Sequence, residues 1–165
     1  MSALGSSFLA AVRKEFASTF HRFGFVEVGQ ENNLNFATVV AKNDSHYLRI
    51  GSDFRDRTVY ASFGRLAEGL VPAFPIAPSR TPEDVREIPD AILTWLATGE
   101  REAAFEVGLY SQETSEEIGA AVHRVAQTLD TFGKRLLAGD AEEWRRAAEL
   151  TVTRKWRPMS PSDSR

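Results

Sequence analysis

The spacing of apolar residues predicts a helix at the start of the chain. Phe8, Val12, Phe16, Phe20 and Phe23 recur at intervals of four, four, four and three, so they share one face of a 3.6-residue helix. The helix is expected over Ser7 to Phe23, with Gly24 as its left-handed C-terminal residue. A stripe so rich in phenylalanine needs a broad partner surface, most simply a sheet.

The period then changes from helical to alternating. Phe25–Val28, Leu34–Ala41, His46–Ser52 and Arg57–Phe63 read as strands. Lys42-Asn43-Asp44-Ser45 and Asp53-Phe54-Arg55-Asp56 have turn composition. The pattern predicts an antiparallel meander of three or four strands. Leu48 and Ile50, with Val59, Ala61 and Phe63, form one face, expected to pack on the opening helix. Tyr47 and Arg49, with Thr58, Tyr60 and Ser62, form the other, expected to face solvent or a partner.

Pro72, Pro75, Pro78, Pro82 and Pro89 disfavour regular ladder pairing over residues 64–90. Leu70, Val71, Phe74 and Ile76 argue for an ordered crossing loop laid over the domain. Thr81-Pro82-Glu83-Asp84 has the signature of a helix start, worth one or two turns. A second short helix is expected from Pro89 to Thr98, burying Ile92, Leu93, Trp95 and Leu96 and ending at Gly99. Thr114-Ser115-Glu116-Glu117 is a capping box. The stripe Ile118, Val122, Val125, Leu129, Phe132, Leu136 follows it. Packing on the sheet is the preferred reading of that stripe, although a coiled-coil dimer seam has the same spacing. Gly139-Asp140 breaks the helix and caps another, from Ala141 to about Trp156. These elements make one α+β domain over 1–157, followed by a disordered tail over 158–165.

Composition narrows the chemistry. The chain has 165 residues, no cysteine and a formal net charge of −3. Thiol nucleophiles and zinc–cysteine sites are therefore excluded. The acidic balance opposes a duplex-DNA footprint, and its one dense basic cluster, Arg154-Lys155-Trp156-Arg157, reads as charge at a helix end. No secretory signal and no membrane-length apolar run are visible, which predicts a cytoplasmic protein. His21, His46 and His123 lack metal-site spacing, and His21 is expected to border the core. Nucleophile-elbow and phosphate-loop motifs do not occur, so neither a cofactor nor a metal is expected. Asp53 and Asp56 can be read as a cation or acid–base pair, but Arg55 and Arg57 beside them favour a turn held by its own side chains.

The pattern Tyr47-Leu48-Arg49-Ile50-x-x-Asp53-x-Arg55-Asp56-Arg57-x-Val59, with Gly24-Phe25 before it and Leu136-x-x-Gly139-Asp140-x-x-x-Trp144 after it, resembles uncharacterised small bacterial α+β proteins. Some of these are regarded as immunity proteins of polymorphic toxin systems. The likeness spans about residues 8–150 and carries over no catalytic residue. It implies binding rather than chemistry. The expected partner is another protein, such as a toxin or secreted effector, bound by a monomer or homodimer; the charge and the lack of a membrane-length run argue against nucleic acid and membrane. The candidate partner-binding residues are Tyr47, Arg49, Tyr60, Asp53, Arg55 and Asp56. Two alternatives stay open: a secretion-chaperone-like dimer holding an extended peptide, and a small hydrolase-type enzyme with an unrecognised site.

Overall fold

The phenylalanine stripe is helical, but it is carried by two helices rather than one. The computed structural model describes residues 2–74, 76, 78–100 and 114–153. Helix α1 spans Ala3–Glu15 and α2 spans Ala17–Phe23. Phe16 sits between them at φ −96°, ψ −2°, a local departure that keeps the stripe on one side. The start lies earlier than the apolar pattern suggests, because Ser2 accepts from the Gly5 amide and so caps the helix. Phe8, Val12 and Phe16 are fully buried, while Phe20 and Phe23 are partly buried. Gly24 ends α2 at φ 71°, as expected of a left-handed cap.

A five-stranded antiparallel sheet follows in simple meander order, β1-β2-β3-β4-β5. Its strands are β1 Val26–Asn32, β2 Phe36–Lys42, β3 His46–Asp53, β4 Thr58–Arg65 and β5 Glu87–Pro89. The register pairs Leu48 with Phe63, Ile50 with Ala61 and Arg49 with Ser62, which is the alternation expected from the sequence. The fifth strand is the addition. It lies within the proline-rich stretch, yet its single proline, Pro89, closes an edge strand of only three residues, where a missing N–H donor is tolerated. The helix start at Thr81 yields only a 3₁₀ turn over Pro82–Asp84.

Helices cover one face of the sheet. Helix α3 is Asp90–Thr98, α4 Ser115–Phe132, α5 Lys134–Leu137 and α6 Ala141–Val152. Both halves of the Thr114–Glu117 capping box are formed. Helix α1 packs over β2 and beside α4, which in turn packs on β4 and α3. Ile118, Val122, Val125, Leu129 and Leu136 are all buried in this interior. The stripe, carried by α4 and beyond Gly133 by α5, is therefore core of the single chain, as its preferred reading had it. Each such fully buried side chain contributes roughly 1.5–3 kcal/mol. In α3, Ile92 and Leu93 are buried while Trp95 and Leu96 are only partly so. His21 is exposed rather than at the core border. The expected end of the last helix at Trp156, the Arg154–Arg157 cluster and the 158–165 tail lie outside the described residues.

Candidate functional site

Alternation sends Tyr47, Arg49, Thr38, Val40, Tyr60 and Ser62 to the face away from the helices. The expectation that this whole face is open requires correction. Tyr47 is fully buried and Arg49 is 7% exposed. Their cover is the crossing loop, which leaves β4 at Leu66 and returns to the sheet at β5.

Short-range chemistry shapes this loop and long-range chemistry holds it down. Glu68 and Gly69 both have positive φ, at 52° and 75°. Ala67 and Leu70 exchange backbone hydrogen bonds across them, closing a tight two-residue turn of the left-handed kind. Lys42 Nζ donates to the Gly69 carbonyl at 3.2 Å. Further along, Arg49 Nη2 donates to the Pro72 carbonyl at 2.9 Å, and the Arg49 guanidinium lies 5.2 Å from the centre of the Phe74 ring.

Beneath the loop lies a buried polar knot. Glu87 Oε1 accepts from the Tyr47 hydroxyl at 2.7 Å and from Arg49 Nε at 2.9 Å. Burial, first, and the adjacent Glu87 carboxylate, second, drive the Tyr47 phenol far above its usual range. A phenol so disfavoured from ionising is a fixed donor, and the knot fastens the loop rather than presenting a surface. Tyr47 and Arg49 thus belong to the structure of the loop, and the buried carboxylate they need comes from Glu87, which the sequence did not mark as a site residue. The one signal for it was the apolar content of the proline-rich loop, which implied that the loop covers something.

Tyr60 lies outside this cover and is half-buried. Its ring crosses the backbone of Gly51 on β3, so closely that a Cβ there would stand 2.4 Å from Tyr60 Cζ. Desolvation by this packing raises its phenol pKa. The rest of the open floor is Phe36, Thr38 and Val40 of β2, all half-buried. Edge strand β1 borders it, with a bulge between Glu27 and Gly29. Val26, on this face by register with Lys42, is 66% exposed, and Val28 in the bulge is 51% exposed. On the loop side, Leu70 and Phe74 are 68% and 63% exposed.

Asp53, Arg55 and Asp56 form the β3–β4 turn. Asp53 Oδ1 accepts from the Arg55 and Asp56 amides at 2.9 and 3.3 Å, and its other oxygen pairs with Arg55 Nη2 at 3.2 Å. Desolvation acts to raise the Asp53 pKa, but the bonds from the Arg55 side chain and from the two amides outweigh it, and the carboxyl stays below its usual range. Its lone pairs are occupied by the turn itself, as the turn reading expects. Arg55 and Asp56 remain exposed at the end of the face. Among the described residues no three His, Asp or Glu side chains gather as a metal site, and no helix is long and apolar enough to cross a membrane. Comparisons with protein-family models, curated proteins and solved structures find no match to this chain.

Proposed function

We propose that this protein acts by binding another protein across the uncovered part of the outer sheet face, in the manner of an immunity protein and without chemistry of its own. The observation that supports it is the clustering of exposed apolar side chains. Of five large apolar residues exposed among the described residues, Val26, Val28, Leu70 and Phe74 flank this one face. Their floor is Val40, Thr38 and Tyr60. Contiguous exposed apolar surface with polar neighbours is characteristic of a protein-binding site, and tyrosine is enriched at the centre of such sites. Arg55 and Asp56 at the end of the face supply exposed charge for orientation.

The test is co-purification with the product of the neighbouring gene, the natural place to find a toxin or effector. The wild-type chain is expected to retain that partner. The double variant Val40→Arg/Tyr60→Ala is expected to lose it while keeping its circular dichroism spectrum and melting temperature. Arg145→Ala, on the helical side, should leave recovery unchanged. Equal recovery by the wild type and the double variant overturns the proposal.

A further inference from the structure

A second site lies at the corner where the crossing loop rejoins the sheet. There the last pair of β4 and β5 is Gly64 with Glu87, and just beyond it the Arg65 amide donates to the Arg86 carbonyl at 3.2 Å. Two arginines are thereby neighbours across a strand pair, an arrangement that is unfavourable when both charges are left unpaired. His46 sits opposite Arg65 on the other side. Arg65, Arg80 and Arg86 all line one cleft of about 670 Å³, together with Pro72, Ile76 and Ser79. None of the three guanidinium groups has an ion-pair partner among the described residues.

Arg65 is also held in place. Its guanidinium lies 4.2 Å from the centre of the Trp144 ring, a cation–π contact that restrains it. Arg65 is exposed overall, yet the desolvation it does have pulls its pKa below the usual range, and no carboxylate pairs with it among the described residues. An incoming anion would offset that cost. Glu83 and Asp84 also line the cleft, exposed and unpaired with these arginines. Three cations against two carboxylates leave an excess of one positive charge, which a single oxyanion group neutralises.

We infer that this cleft binds a small organic anion, with its carboxylate or phosphate held by Arg65, Arg80 and Arg86 and its apolar body against Pro72 and Ile76. The volume suits such a ligand, and planar guanidinium groups match both oxyanions with paired hydrogen bonds. The residues named for this site and for the protein-binding face do not overlap, so each can fail without the other.

Calorimetric titration at low ionic strength with hexanoate, hexyl phosphate and inorganic phosphate tests it. At least one of the two hexyl probes is expected to bind saturably, with a Kd below about 1 mM. Preference for hexanoate assigns a carboxylate ligand, and preference for hexyl phosphate assigns a phosphate ester. Arg65→Met keeps an apolar stem over Trp144 and should weaken binding roughly tenfold or more. The double variant Arg80→Gln/Arg86→Gln alters only exposed side chains and should do the same even if Arg65→Met disturbs folding. Saturable binding by neither hexyl probe overturns the inference, as does unchanged affinity in the double variant. Equal affinity for inorganic phosphate and hexyl phosphate overturns the role given to Pro72 and Ile76.

Discussion

Asp90 shows how one residue couples the end of a strand to the start of a helix. Strand β5 stops at Pro89, which has no N–H, and the chain turns at once into α3. The Ala61 amide of β4 is left facing the first helical residue, and Asp90 Oδ1 accepts from it at 3.2 Å. Burial pushes the Asp90 carboxyl up to about 6, against the opposing pull of the Ala61, Asp90 and Ala91 amides. The folded protein therefore keeps this proton over a range in which the unfolded chain, with an ordinary value of 3.8, has lost it. Stability from this group is fully present below the unfolded value and is lost as pH rises through about 6. An interval of that size corresponds to roughly 3 kcal/mol. Asp90→Asn, which cannot ionise, should flatten the dependence of urea midpoints on pH across this window. A dependence as steep as the wild type's would refute the assignment. The Arg49–Glu87 pair behaves differently, because both partners are charged, buried and mutually bonded. Glu87→Ala strands the Arg49 cation and should cost about 3–5 kcal/mol. Arg49→Met/Glu87→Met should cost less than Glu87→Ala alone, a comparison that equilibrium denaturation reads directly.

The elements were legible in proportion to how local their causes are. The Thr114–Glu117 box, the Gly24 and Gly99 caps and the Asp140 cap are each written within a few residues, and each forms as read. Thr114→Ala should cost about 1 kcal/mol of stability. Strand β5 was not legible, since three residues ending in proline have no period to detect, and only pairing with β4 makes them a strand. The cover over β3 was legible as a loop but not as a lid on Tyr47 and Arg49. It depends on Glu87, which lies 38 residues beyond Arg49. Glycine placement records the same long-range packing. A Cβ at Gly64 would stand 2.2 Å from Tyr47 Cζ, and one at Gly51 would stand 2.4 Å from Tyr60 Cζ. The Tyr47 ring is pinned by Glu87 and the loop, whereas Tyr60 borders the open floor and can yield. Gly64→Ala should therefore lower the melting temperature more than Gly51→Ala, the former by the equivalent of about 1–3 kcal/mol. Equal losses would mean that the knot does not restrain Tyr47.

For the whole molecule, the layer arrangement decides what the long stripe does. A helix pair and a meander sheet bury a continuous core only if α4 supplies its apolar face to the same chain. Val122 and Val125 lie on a helix that packs against α1, α3 and β4, and neither has exposed surface left for a second copy. The opposite layer is missing: the outer face has a loop over its β3–β5 corner and nothing over Val40 and Tyr60 among the described residues. The two candidate association surfaces of the sequence thus part ways, the stripe becoming core and the sheet face staying open in part. Val125→Asp separates these roles. At a dimer seam, a carboxylate in place of valine would yield a folded monomer with a smaller hydrodynamic radius. Inside a core it places an unpaired charge where no water reaches, a change among the most damaging single substitutions. The expected result is loss of the cooperative thermal transition, not dissociation. Light scattering with circular dichroism on the same sample distinguishes the two, and a folded, smaller species would refute the layered arrangement.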